Sequence, residues 1–254
     1  MNEMATLMQL PGRIAALFVA AILIRGICRN ERLAVETIIQ DFGASSMRGL
    51  ATASNLRSVT DDDVDVKVSV QVSIESLCID SKNYILKELV PTFNTALSEV
   101  MDLQVVVFGN SHLHTDTLTV SCQHGDAECD ANVYQQCAID NFMYPSRYLP
   151  FLACLFEELP MGHADMAFDK SVFAQCAREA ALDFRALETC HSKDAWAMQV
   201  QSAAKTPSDH DHVPWVVIDG VYVPEDKKSL SQAVCEALEM RGGHHSSCDG
   251  VTND

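Results

Sequence analysis

Val64-Asp-Val-Lys-Val-Ser-Val-Gln-Val-Ser-Ile74, followed at once by Glu75-Ser-Leu-Cys78-Ile-Asp-Ser81, is the stretch on which the fold turns. From 64 to 74 every even-numbered residue is apolar and every odd-numbered one polar, the period of a half-buried β-strand. Beyond Ser81 the period becomes helical, with Tyr84, Ile85, Leu89 and Val90 on one side and Pro91 disturbing the helix near its middle or end. A second apolar run, Leu103-Gln-Val-Val-Val-Phe108, stops at Gly109-Asn110. Strand, helix, strand is the minimal unit of a parallel sheet, so an α/β fold is expected with Cys78 in the first strand-to-helix turn.

Working outward, roughly residues 122 to 205 hold six of the cysteines together with Ala-, Leu- and Met-rich stretches at helical spacing, which reads as a disulfide-tied helical region. The stripe Met161, Met166, Phe168, Val172 and Phe173 reads as core. Next, Val213-Pro-Trp-Val-Val-Ile218, the turn pair Asp219-Gly220 and Val221-Tyr-Val223 predict a β-hairpin. Residues 226 to 240 predict a closing helix, with Leu230, Val234, Ala237 and Leu238 on one face, and 241–254 read as a polar tail.

Toward the N-terminus, Arg13 precedes an uninterrupted apolar run, Ile14 to Ile24, that ends at Arg25. Eleven residues suit the hydrophobic region of a secretory signal, whereas a membrane-spanning helix needs about 20. Residues 1–27 are therefore expected to be a signal peptide or signal-anchor-like segment, with a buried helix as the alternative, and 28–63 a flexible lead-in or propeptide. The domain proper is expected over 64–240. A formal net charge of −17 argues against nucleic acid as a partner, because a polyanion is repelled by such a field. Ten cysteines in a 254-residue chain point to an oxidising compartment. Cys28 lies at the edge of the signal-like segment, and if it is removed with that segment nine cysteines remain, an odd number. If Cys78 is the unpaired thiol, then Cys122, Cys129, Cys137, Cys154, Cys176, Cys190, Cys235 and Cys248 can form four bridges, in pairings that spacing alone does not define.

The order of strand, cysteine at a helix start, second strand, helical insertion, Val-Pro hairpin and final helix resembles the thioredoxin fold. In that fold Cys78 sits where free backbone N–H groups and the positive helix end favour thiolate over thiol. The segment Cys122-Gln-His-Gly-Asp-Ala-Glu-Cys129-Asp-Ala-Asn132-Val-Tyr-Gln-Gln-Cys137 matches C-Q-H-G-x-x-E-C-x-x-N-x-x-x-x-C, the signature of the gamma-interferon-inducible lysosomal thiol reductase family, at every fixed position. Phe108-Gly-Asn110, the spacing of Cys154, Cys176 and Cys190, Val213-Pro-Trp-Val216 and Cys235 extend the resemblance over about 64–240. It implies a thioredoxin-like domain with a helical insertion, reducing protein disulfides in acidic endosomes and lysosomes. It also implies that Val213-Pro214 is a cis pair facing Cys78, where backbone meets a substrate peptide. His124, Glu128 and Asn132 are expected to organise their own turn. Because Cys122-x-His124 with Cys129 and Cys137 fits no common zinc pattern, neither metal nor cofactor is expected.

One departure matters for chemistry. Reductases of this family carry Cys-x-x-Cys at the helix start, and here the segment is Cys78-Ile-Asp-Ser81. In the dithiol mechanism a second thiolate resolves the mixed disulfide made by the first, a step Ser81 cannot perform. Two readings stay open. One is a thiol–disulfide oxidoreductase acting on disulfide-containing protein substrates through Cys78 alone, in an endosomal, lysosomal or extracellular setting. The other is a secreted, disulfide-rich binding protein for a protein partner that has lost reductase turnover.

Overall fold

The computed structural model describes residues 66–162 and 169–251. The signal-like segment, the lead-in with Cys28, the first two residues of the alternating run, and Met166 and Phe168 lie outside the described residues. Strand β1 runs Val68–Ile74, and Val68, Val70, Val72 and Ile74 are fully buried. A helical run follows: α1, Ile79–Tyr84, a π-turn over Ile85–Leu89, and α2, Val90–Phe93. The backbone N–H of Val90 reaches back to the Ile85 carbonyl, five residues away. This wider turn delivers Pro91 to the first turn of α2, where its missing N–H leaves no helical bond broken. β2, Met101–Val107, pairs parallel to β1 from Val68↔Met101 to Ile74↔Val107.

A small antiparallel pair, β3 (His112–His114) with β4 (Thr119–Ser121), which the periodicity did not announce, precedes the insertion. Four helices then follow: α3 (Asp126–Phe142), α4 (Pro145–Glu158), α5 (Ser171–Glu179) and α6 (Phe184–Lys205). Cys137–Cys190 ties α3 to α6 and Cys154–Cys176 ties α4 to α5, while Cys122–Cys129 closes a short loop at the entrance of α3. The helices also share a core. Phe151, Leu152, Leu155 and Phe156 of α4 and Phe173 of α5 are fully buried, each worth about 1.5–3 kcal/mol of apolar transfer. Tyr134 of α3 stacks on Phe173 at 4.0 Å between ring centroids.

The chain returns to the sheet as β5, Trp215–Ile218, antiparallel to β1, and β6, Val221–Tyr222, so the strand order is β2-β1-β5-β6. The β5–β6 turn has φ of 50° at Asp219 and 81° at Gly220, the left-handed pair that a tight hairpin needs. Its Asp219 carboxylate accepts from Ser69 N and is gripped by the Arg241 guanidinium. The last helix, α7, starts at Leu230 rather than 226, because Ser229 and Gln232 form a capping box there. The stretch after it, read as a tail, is polar but held: Cys235–Cys248 bridges α7 to a 3₁₀ turn at Ser246–Cys248. Among the described residues no helix is long and apolar enough to cross a membrane.

Candidate active site

Cys78 is the N-cap of α1, in an extended backbone conformation (φ −76°, ψ 125°) set by the strand that delivers it. Its Sγ accepts from the Ser81 backbone N–H at 3.4 Å, as a serine oxygen does in an ordinary cap. Such a bond is stronger to a thiolate than to a thiol. On its other side the thiol donates to the Val213 carbonyl at 3.7 Å, and the Val213–Pro214 peptide bond is cis. Cys78 is half-buried, and it is the free cysteine among the described residues. Its neighbour Ile79 is exposed, so an apolar side chain stands beside the sulfur at the surface.

The loop that carries the thiol is held by side chains rather than by sheet hydrogen bonds. Glu75 N donates to Ser81 Oγ at 3.2 Å, Ser76 N to Asn132 Oδ1 at 3.0 Å, and Leu77 N to Glu128 Oε2 at 3.3 Å. Three successive buried N–H groups thereby find acceptors, a requirement where water cannot enter. Ser81 is fully buried and its hydroxyl is turned to Glu75 rather than to the sulfur. Glu128 and Asn132 therefore do more than organise their own turn: they reach back 51 and 56 residues to shape the Cys78 loop. Within the motif, Glu128 also accepts from His124 N at 3.0 Å, and its Oε2 lies 2.7 Å from His124 Nδ1.

Glu75 is the residue that sequence reasoning missed, since in a strand-end position it looked like one more polar alternation. Its side chain is fully enclosed; one carboxyl oxygen accepts from Asn110 N at 2.5 Å. A Cβ on Gly109 would stand 2.3 Å from Glu75 Cγ, so only glycine lets this turn close over the carboxyl. Burial, reinforced by the charge of Glu128 and opposed by the Asn110 hydrogen bond, pushes the Glu75 carboxyl up to about 8.

On the far side of Val213, the side chains of His210 and His212 are held in place while Asp209 and Asp211 are exposed. His210 contacts the Pro207 carbonyl at 2.5 Å and the Gly109 carbonyl at 3.0 Å. His212 packs edge-on against Trp215 and Tyr222, which stack on each other at 3.8 Å. A hydrogen bond to Asp211, aided by the Glu225 charge and opposed by partial burial, holds the His212 imidazole above its usual range.

A capped thiol on a strand-to-helix turn, beside the cis Val-Pro pair that leads into an antiparallel strand, defines a thioredoxin-like architecture. The structure resembles the reduced disulfide bond oxidoreductase DsbG of Mycobacterium tuberculosis at 14% identity, with a TM-score of 0.51, over 69% of this chain and 78% of that one. Residues 69–180 match the model of the family described as Gamma interferon inducible lysosomal thiol reductase (GILT). Among relatives, the gamma-interferon-responsive lysosomal thiol protein of Arabidopsis thaliana is 27% identical over 70% of this chain and 72% of its own length. The gamma-interferon-inducible lysosomal thiol reductase of Mus musculus is 26% identical, over 68% of each. The disulfides fit folding in the secretory pathway.

Proposed function

We propose that this protein is a thiol–disulfide oxidoreductase of the GILT family that acts on disulfide-bonded proteins through Cys78 alone. The observation that carries the reading is the half-exposed Cys78 sulfur with the Ser81 N–H directed at it. The Cys78 thiolate attacks one sulfur of a substrate disulfide. A Cys78–substrate disulfide forms, and the other substrate sulfur leaves as a thiolate that takes up a proton. The Val213 carbonyl and the cis Val213–Pro214 peptide lie beside the sulfur, where the family resemblance implies the substrate peptide is met. Release then needs an external thiol. Its thiolate attacks the mixed disulfide, freeing either Cys78 or the substrate thiol and leaving the external sulfur in the new disulfide. The names of the relatives support a lysosomal setting.

The second reading, a binding protein on the same scaffold, is favoured by the commitment of the buried Ser81 hydroxyl to the loop backbone. The test is alkylation of native, unreduced protein from about pH 4.5 to about pH 8, read by peptide mapping, with capture of a disulfide-bonded peptide in parallel. Selective labelling of Cys78 and a mixed disulfide that is lost in Cys78→Ser support the redox reading. A Cys78 that labels no faster than a model thiol and captures nothing supports the binding protein.

A further inference from the structure

The signature segment and the strand-end loop bring together three ligand-type side chains that the thiol chemistry does not use. One donor atom each from Glu75, His124 and Glu128 lies within 4.8 Å of the others. His124 Nδ1 is 2.7 Å from Glu128 Oε2 and 4.0 Å from Glu75 Oε2. Both carboxyl side chains are fully enclosed, and His124 is 17% exposed, which leaves a way in from solvent. The oxygens facing away are already occupied: Glu75 Oε1 by Asn110 N and Glu128 Oε1 by His124 N. Glu75 Oε2 is different. It is buried, it has no hydrogen-bond partner among the described residues, and it faces the imidazole. An unpaired oxygen in such a place costs about 1–3 kcal/mol and calls for a proton or a cation.

We infer that Glu75, His124 and Glu128 form a binding site for a divalent cation of the zinc type beneath the Cys78 loop. One imidazole nitrogen and two carboxylate oxygens are zinc donors, with bonds of about 2.0–2.2 Å. Donors at those lengths in a tetrahedron stand about 3.4 Å apart, and the 2.7 Å and 4.0 Å separations fall on either side of that value. Small side-chain rotations therefore suffice. The backbone N–H groups of Asn110 and His124 hold the far oxygens, the part that outer-sphere donors play at metal sites. The Gly109 turn packs directly against the Glu75 side chain. Cys78 is not a ligand, since its sulfur is engaged by Ser81 N and Val213 O. Glu75 stands 49 residues before His124, so no motif spacing could have revealed the trio. A bound ion would join the strand-end loop to the head of α3 by coordination as well as by hydrogen bonds, and this holds whether or not Cys78 turns over.

The experiment is calorimetric titration of the full oxidised chain with zinc chloride at neutral pH, after Cys78 is blocked by alkylation. One ion per chain is expected, with X-ray absorption showing nitrogen and oxygen ligands, one imidazole and no sulfur. Glu75→Gln should weaken binding at least about tenfold. Cys78→Ala, and His212→Ala at the separate Asp211–His212–Glu225 cluster, should leave it unchanged. No uptake at about 100 µM zinc, binding that survives Glu75→Gln, or sulfur in the ligand shell overturns the inference. In the first of these cases the Glu75 oxygen holds a proton instead. If Glu75→Gln does not fold, X-ray absorption on the unmutated protein decides.

Discussion

Replacing Ser81 with alanine separates what this residue does for the loop from what it does for the thiol. Ser81 is fully buried and its Oγ is the acceptor for Glu75 N at 3.2 Å. Ser81→Ala deletes that acceptor and admits no water to replace it, leaving an unsatisfied N–H at a cost of about 1–3 kcal/mol. For a domain of this size each kcal/mol moves Tm by about 2–4 °C, so a fall of roughly 2–12 °C is expected. The Cys78 cap uses the backbone N–H of residue 81, which alanine keeps, so the rate of Cys78 alkylation should not change. Thermal unfolding of the oxidised protein followed by circular dichroism measures the first effect, and mass-spectrometric labelling the second. An unchanged Tm would refute the assignment of the hydroxyl to the loop. An unchanged Tm with a slower thiol would show that the hydroxyl serves the sulfur instead. The companion Ser81→Cys brings a larger atom and a weak acceptor to the same enclosed place, with an overpacking cost of about 1–3 kcal/mol. It also supplies a resolving thiol.

Two further outcomes follow from the same geometry. Loss of the Cys137–Cys190 bridge, which spans 53 residues and joins α3 to α6, frees the largest disulfide loop among the described residues. The double alanine variant should lose about 4 kcal/mol, read as the unfolding free energy extrapolated to zero denaturant, with a steeper denaturant slope because the uncrosslinked unfolded chain exposes more surface. The Glu75 carboxyl is raised from its ordinary value of 4.5 to about 8, chiefly by burial, so between these pH values the folded chain binds a proton that the unfolded chain has released. Stability in chelator-containing buffer should therefore fall as pH rises through that window, by on the order of a few kcal/mol, with Glu75→Gln flattening the dependence. A stability that rises across the window in the parent protein would contradict the buried placement of this carboxyl.

The strand and helix order was legible because periodicity is a local property. Alternation up to Ile74 could satisfy only a strand with one face inward, and its Val68, Val70 and Val72 are buried as that demands. The switch at Cys78 was legible for the same reason, and Asp219-Gly220 marked its own hairpin. Boundaries were less clear where capping decides them, as at Ser229, whose box with Gln232 sets the start of α7. The β3–β4 pair, with three residues in each strand, is too short to print a period.

The sequence by itself determined the element order, the placement of one thiol at a strand-to-helix turn, the absent resolving cysteine and the family signature, all carried by neighbours in the chain. Only the tertiary structure decided which cysteines pair, that Ser81 serves Glu75 N, and that Glu128 and Asn132 hold the loop of a cysteine fifty or more residues behind them. It alone revealed Glu75 as part of that centre. Such contacts are set by how strand and helix pack, and a buried N–H takes whatever acceptor that packing brings within reach, a relation for which chain spacing carries no signal.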